Sequence, residues 1–414
     1  MESSNRRVVI TGIGVIAPNG FNLDTFWAHL RTGQSAASFV SRIDTSGLPS
    51  KVACQLRGFN PADYLAPALA NSTPPATQYG IAAARLATRD AAIDLSRVSP
   101  DRIGIVAGST PGRGQQDQSV EEFSGREGRN NGTLRALLNA QAGGSAAAIA
   151  HELGISAHTQ TLLTGASTGT ETIAQAFSLI RDDDADVAVA GAGGAPITAG
   201  LWGILCASHH LSRETEEPAR AMKPFAGNRD GFILGEGAAF LVIEELSFAL
   251  NRGAPIYAEI LAHGRSFDGA NGTPEDLPQF GSLEKALHRA KVHPGKVDYL
   301  NANGTATAKN DLAETLAIKK AFGSHAERLQ ISSTKPVTGH WAGAAGPVET
   351  VICALAIKNR AIPPTINLHT PDLECNLDFV PLRERRYPVE VAVNLNAGLD
   401  GSNACLILRR VNTK

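Results

Sequence analysis

The feature that most restricts the fold occurs twice. The segment TGASTGTETIAQAFSLI, from Thr164, and the segment TGHWAGAAGPVETVICALAI, from Thr338, are both glycine-rich turns opening a long helix. A strand follows each, ADVAVAGAG in the first case and VEVAVNLNAG in the second. An apolar strand then closes each unit, GAAFLVIEE and SNACLILRR. A chain that repeats turn, helix, strand and strand is read as a duplication, with halves at residues 1–252 and 253–414. In the second half IYAEILAHG takes the role of the opening strand VVITGIGVI. The connection at Arg252-Gly253-Ala254-Pro255 is short, so the two turns are expected to converge on one shared site at the boundary.

Apolar strand-like runs alternate with helix-like segments, including a capped helix from about Asn22 and an alanine-rich helix from Leu134 to Glu152. This alternation predicts an α/β protein with layered sheets. The 414 residues, 43% hydrophobic and 19% charged, supply ample core and exclude a disordered chain. With 38 basic and 40 acidic residues the net charge is −2, which excludes a whole-protein field for nucleic acid or an anionic membrane. Cys54, Cys206, Cys353, Cys375 and Cys405 are scattered, with no CxxC pair and no histidine at ligand spacing. That pattern argues against a metal centre and fits a reducing, cytoplasmic setting. Arg6 and Arg7 precede an apolar run, but the run is β-branched and reads as a core strand rather than an export signal. Val187–Ala207 carries no charge and is long enough to span a bilayer; its glycines and Pro196 predict a buried strand and turn instead. The adjacent His209 and His210 have no further ligand placed beside them, and no cofactor motif is evident.

Four long phrases resemble the elongating β-ketoacyl-acyl carrier protein synthases, in that family's order and spacing: VVITGIGVIAP, PFAGNRDGFILGEGAAFLVIEE, VDYLNANGTATAKND and SSTKPVTGHWAGAAGPVE. The resemblance covers nearly the whole chain. It implies the duplicated thiolase-like fold, layered α-β-α-β-α. It also implies a chemistry that needs three things. A cysteine at a helix start accepts the acyl chain, its thiolate favoured by the helix dipole. Two imidazoles donate to the carbonyl of a malonyl thioester as carbon dioxide leaves. Backbone N–H groups hold the oxyanion of condensation.

On this resemblance the cysteine position is Ala166, and a methyl group cannot attack a thioester. Ser167 and Thr168 are rotated by about 100° per residue along a helix and are read as helix-start residues that satisfy free N–H groups. The first histidine position is Asn303, which donates hydrogen bonds without titrating. The second is retained as His340, with Lys335 ahead of it and Glu349 behind; these two are read either as a buried ion pair holding the loop or as direct participants. The family's FGFGG loop becomes Ala397-Gly398-Leu399-Asp400-Gly401. The Leu399 amide matches the oxyanion donor, and Asp400 puts a carboxylate where glycine lets the loop move.

A ketosynthase-like chain without its cysteine resembles the chain-length-factor subunits, which pair as heterodimers with an active ketosynthase in type II polyketide and aryl-polyene assembly. The implied partners are that ketosynthase, an acyl carrier protein and the growing acyl or polyketide chain. Relatives often carry glutamine at the cysteine position, so alanine leaves the subtype open. The alternative is a malonyl-carrier protein decarboxylase in which Asn303 and His340 hold the thioester without a covalent intermediate. An acidic carrier protein would dock on a basic surface, for which Arg383, Arg385 and Arg386, or Arg126 and Arg129, are candidates.

Overall fold

A computed structural model describes residues 6–70, 73–110, 144–268 and 280–411. In the first half the main strands are β1 (Val8–Ile16), β2 (Ile103–Thr110), β3 (His158–Leu162), β4 (Val187–Gly194) and β5 (Gly237–Glu245). In the second they are β6 (Ala258–Phe267), β7 (Tyr299–Asn301), β8 (Gln330–Ser332), β9 (Val391–Ala397) and β10 (Ser402–Arg409). They form a single sheet in the order β8-β7-β9-β10-β6-β1-β5-β4-β2-β3. Outward from the centre, the first half runs first, fifth, fourth, second, third, and so does the second half. The pairing sense repeats too: antiparallel, antiparallel, parallel, parallel. The duplication inferred from two turns therefore extends to the whole topology.

The two half-sheets of the layered fold are continuous. They join edge to edge where β1 meets β6 antiparallel through Val8↔Ile260, Val9↔Glu259 and Ala258↔Ile10. This short seam makes one ten-stranded sheet of the two halves.

The helices repeat with the strands. After helix α1 (Leu23–Thr32), capped by Asn22, come α2 (Pro75–Asp90), α3 (Gly144–Leu153), α4 (Thr168–Arg181) and α5 (Ala199–Ala207). The second half contributes α6 (Gly281–Ala290), α7 (Ala308–Phe322) and α8 (Ala345–Asn359). Helices α2 and α3 cover the outer face of the first half-sheet, and α6 and α7 that of the second. Helices α4 and α8 pack on each other and on the inner faces, giving the five layers α-β-α-β-α. Helix α8 is buried on every side from Ala345 to Ile357, as its apolar sequence demands of a central helix.

Two stretches singled out in the sequence can now be placed. The alanine-rich helix is described only from Gly144, since residues 111–143 lie outside the described set. The uncharged Val187–Ala207 stretch is the buried strand β4 and a turn, as expected, but its end winds into α5. No helix among the described residues is long and apolar enough to cross a membrane.

Candidate functional site

The two repeated turns meet. Helix α4 follows a 3-10 turn at Gly165–Ser167, and α8 follows one at Ala342–Ala344. A β-carbon added to Gly169 would lie 2.2 Å from Pro347 Cδ, and one added to Gly346 would lie 2.1 Å from Thr170 Oγ1. Only bare backbone lets the two helix starts approach this closely. The turns thus converge on one place, as their duplication suggested.

Ala166 sits in the first turn, half-buried. Its neighbours do not cap the helix, contrary to the sequence reading. Ser167 Oγ donates to the Thr164 carbonyl at 2.8 Å and lies 3.1 Å from Glu171 Oε1. Thr168 Oγ1 accepts the Thr164 N–H at 2.8 Å and donates to the Gly165 carbonyl at 2.6 Å. Both hydroxyls are spent on the turn that leads into α4. All five cysteines are buried, and burial pushes the thiols of Cys54, Cys353, Cys375 and Cys405 up in pKa.

The second half supplies a connected polar chain. Lys335 and Glu349 are 1% and 2% exposed, with Lys335 Nζ 2.7 Å from Glu349 Oε1. Lys335 Nζ also donates to the Asn303 carbonyl at 2.6 Å and to Asn303 Oδ1 at 3.2 Å. Asn396 Nδ2 donates to Glu349 Oε2, and Thr170 Oγ1 donates to Asn396 Oδ1. The chain Asn303–Lys335–Glu349–Asn396–Thr170 so ties the second half to the start of α4. Burial raises the pKa of Glu349, and Lys335 pulls it back down.

Asn303 is fixed rather than free. Its Nδ2 donates to Asn310 Oδ1 at 2.8 Å and to the Ala397 carbonyl at 3.3 Å, so both amide hydrogens have protein acceptors. Its backbone N–H and that of Gly304 donate to the two oxygens of Glu314, at 2.7 and 2.8 Å. Glu314 is wholly buried on α7, and burial raises its pKa to about 8. Sequence reading missed Glu314; the signal was an acidic residue on the inward face of AKNDLAETLAIKKAF.

His340 is held through its backbone. Its N–H donates to the Ile233 carbonyl and its carbonyl accepts from Gly235, both at 2.9 Å. This explains the phrase DGFILGEG, whose middle forms a short strand beside the histidine. The imidazole meets the edge of Phe232 at 5.1 Å, and its Nδ1 is buried without a partner. Burial, then the nearby Lys335 charge, lowers its pKa to about 3, so the ring is neutral at pH 7.

The loop after β9 closes the arrangement. Ala397 is buried, Gly398 partly so, while Leu399 is 65% exposed and Asp400 exposed. Asp400 does not leave this loop loose. Its Oδ1 accepts Ser402 Oγ at 2.7 Å and the Ser402 N–H at 3.2 Å. A β-carbon on Gly165 would lie 2.2 Å from Asp400 Oδ2, and one on Gly398 would lie 2.1 Å from Oδ1. The carboxylate is a wedge between the loop and the turn that carries Ala166.

Other candidates separate from this cluster. Arg385 is bound to Asp378 and Gln330, Arg386 faces Glu384 at 3.7 Å, and Arg383 is exposed. Arg126 and Arg129 lie outside the described residues. His209 is engaged by Arg213, and His210 by Ser208 and the Phe232 ring. No group of three or more potential ligands that could hold a metal occurs among the described residues.

Comparison with known proteins agrees with this architecture. The family model described as "Beta-ketoacyl synthase, N-terminal domain" matches residues 5–249, and "Beta-ketoacyl synthase, C-terminal domain" matches residues 257–369. The chain is 36% identical over 409 residues to 3-oxoacyl-[acyl-carrier-protein] synthase 2 of Coxiella burnetii, covering 98% of this chain and 99% of the relative. It is 36% identical over 413 residues to a putative polyketide beta-ketoacyl synthase 1 of Streptomyces cyaneus, covering 97% and 98%. The solved structure titled "The ishigamide ketosynthase/chain length factor" superimposes with a TM-score of 0.89 at 31% identity, covering 98% of this chain and all of that one. With its topology duplicated strand for strand and both of its halves matched, the chain belongs to the β-ketoacyl synthase family.

Proposed function

We propose that this family member is a non-condensing, chain-length-factor-like subunit. It pairs with an active ketosynthase in type II polyketide, aryl-polyene or fatty-acid-like chain elongation. The observation that carries this reading is Ala166: no thiol stands at the start of α4, and the five cysteines are buried elsewhere. In this reading the halves are residues 1–252 and 253–414, Ala166 and Asn303 occupy the family's cysteine and first histidine positions, and His340, Lys335 and Glu349 are the retained remainder. The Leu399 amide is the oxyanion donor of the loop, and no described residue takes its hydrogen. The partners are a cytoplasmic ketosynthase, its acyl carrier protein and the growing acyl chain.

Similarity to a solved ketosynthase/chain length factor supports the pairing. Similarity to 3-oxoacyl-[acyl-carrier-protein] synthase 2 relatives supports a role in acyl elongation. The alternative, malonyl decarboxylation by Asn303 and His340, is disfavoured by the commitment of both Asn303 amide hydrogens to Asn310 and Ala397.

The test is to incubate the purified chain with malonyl-carrier protein, alone and with a candidate ketosynthase, and to follow carbon dioxide and elongated product. Elongation that needs both chains, together with their co-purification, is the expected outcome. Robust carbon dioxide release by the chain alone would overturn the partner-only reading.

A further inference from the structure

The charged groups linked to the turn that carries Ala166 and to the start of α4 can be accounted for one by one. Lys335 is neutralised by Glu349 at 2.7 Å. Arg265 lies 3.5 Å from Glu171 Oε2, so the acid in the first turn of α4 is matched. Burial keeps the His340 ring uncharged. Asp268, whose N–H donates to the Gly401 carbonyl at 2.9 Å, adds a carboxylate next to the loop, which accepts the Phe280 N–H at 3.1 Å. Asp400 is held by Ser402 between Gly165 and Gly398, and no ion-pair partner faces it among the described residues. The two flanking glycines make the wedge possible, since any side chain at either would collide with the carboxylate.

We propose that Asp400 is a specificity-determining residue that keeps carboxylated acyl thioesters away from Ala166 and lets uncharged acyl chains approach. The inference rests on reading the surroundings of Ala166 as an acyl site. Its chemistry is like-charge repulsion: a malonyl-type group brings a second anion beside one that is held in place and not neutralised. An acetyl, butyryl or longer alkyl thioester brings none. The site so built suits an acyl chain already decarboxylated elsewhere, and it does not suit the extender unit.

The experiment measures binding, which needs no catalytic activity. Titrate the full chain with butyryl-pantetheine and with malonyl-pantetheine, using the native protein and the Asp400→Asn and Asp400→Gly variants. The native chain is expected to bind the butyryl probe about three- to fivefold more tightly than the malonyl probe. Asp400→Asn, which keeps the shape and removes the charge, is expected to close most of that gap by strengthening malonyl binding alone. Asp400→Gly, which removes the carboxylate together with its bonds to Ser402, should do the same. Equal binding of both probes by the native chain would overturn the proposal. So would an Asp400→Asn variant that changes both affinities in parallel, because the residue would then be only a wedge. Failure of every variant to bind the butyryl probe would remove the acyl-site reading and the proposal with it, whereas butyryl binding without discrimination removes the proposal alone.

Discussion

Lys335 and Glu349 form an ion pair 2.7 Å long that is almost entirely withdrawn from water, and the same ammonium group holds the Asn303 carbonyl at 2.6 Å. The pair anchors two turns of the second half at once. Breaking it by one side only leaves an uncompensated buried charge.

Glu349→Ala or Lys335→Ala should therefore lower unfolding free energy by about 3–5 kcal/mol. The double variant Lys335→Met with Glu349→Leu should recover most of that loss, because apolar side chains of similar size need no partner. Urea denaturation of the three variants checks this; a single variant that costs under about 1 kcal/mol would contradict the buried-pair account.

Glu314 carries a signature in pH. Its folded pKa, raised to about 8 by burial, exceeds the unfolded value near 4.3, so the folded state holds the extra proton between these limits. Its contribution to stability is thus fully present below about pH 4.3 and is lost as pH rises towards about 8, at up to about 1.4 kcal/mol per pH unit. Asp311, raised to about 6 by burial, acts in the same direction over a narrower window. Glu314→Gln, which mimics the protonated form, should flatten the decline in urea midpoint between about pH 5 and 8. An unchanged slope would show that the carboxylate ionises freely in place.

His340 has the opposite sign. Its folded pKa, lowered to about 3, lies below the unfolded value near 6.5, so its contribution is present above about pH 6.5 and is lost as pH falls towards 3. His340→Asn should remove part of the acid-side loss of stability, read from the same urea midpoints between about pH 6.5 and 4.

Gly346 is the point where α8 rests against α4. Gly346→Ala should cost about 1–3 kcal/mol or more, since the new methyl would start 2.1 Å from Thr170 Oγ1 and the neighbouring atoms on that side are backbone. A thermal shift of several degrees downward is the expected readout, and an unshifted midpoint would mean that the helix starts can separate without loss.

Placing a thiol and an imidazole at positions 166 and 303 tests the proposed reading of this site directly. The double change Ala166→Cys with Asn303→His should allow covalent labelling by an electrophilic ketosynthase inhibitor, read by intact mass. Absence of labelling in a folded double variant would mean that access to the start of α4 is closed.

Much of this was legible in the chain itself, for identifiable reasons. The turns at Thr164 and Thr338 announced the duplication because glycine is needed where two helix starts touch, and that need leaves the same mark in both halves. Helix α8 was readable because burial on all sides leaves no polar face. The roles of Glu314, Asn310 and Asn396 were not: the first two act on Asn303 and Gly304 through the shape of the connection into α7, and Asn396 meets Glu349 from a distant strand. Asp400 was visible as a departure in the loop, but its wedge against Gly165 joins residues more than two hundred positions apart, which no local pattern encodes. The direction of the Ser167 and Thr168 hydrogen bonds was misread because a 3-10 turn intervenes before α4 and takes both hydroxyls.

The duplicated topology has a consequence for what such a chain can lose. Lys335, Glu349, Asn303, Asn396 and Glu314 all belong to the second repeat, and the crossing bond to the first is made by Thr170, not by residue 166. The side chain at position 166 can therefore change without disturbing any bond of that buried chain. A fold built from two copies thus tolerates side-chain changes at the start of one central helix while the buried chain of the other copy keeps its geometry.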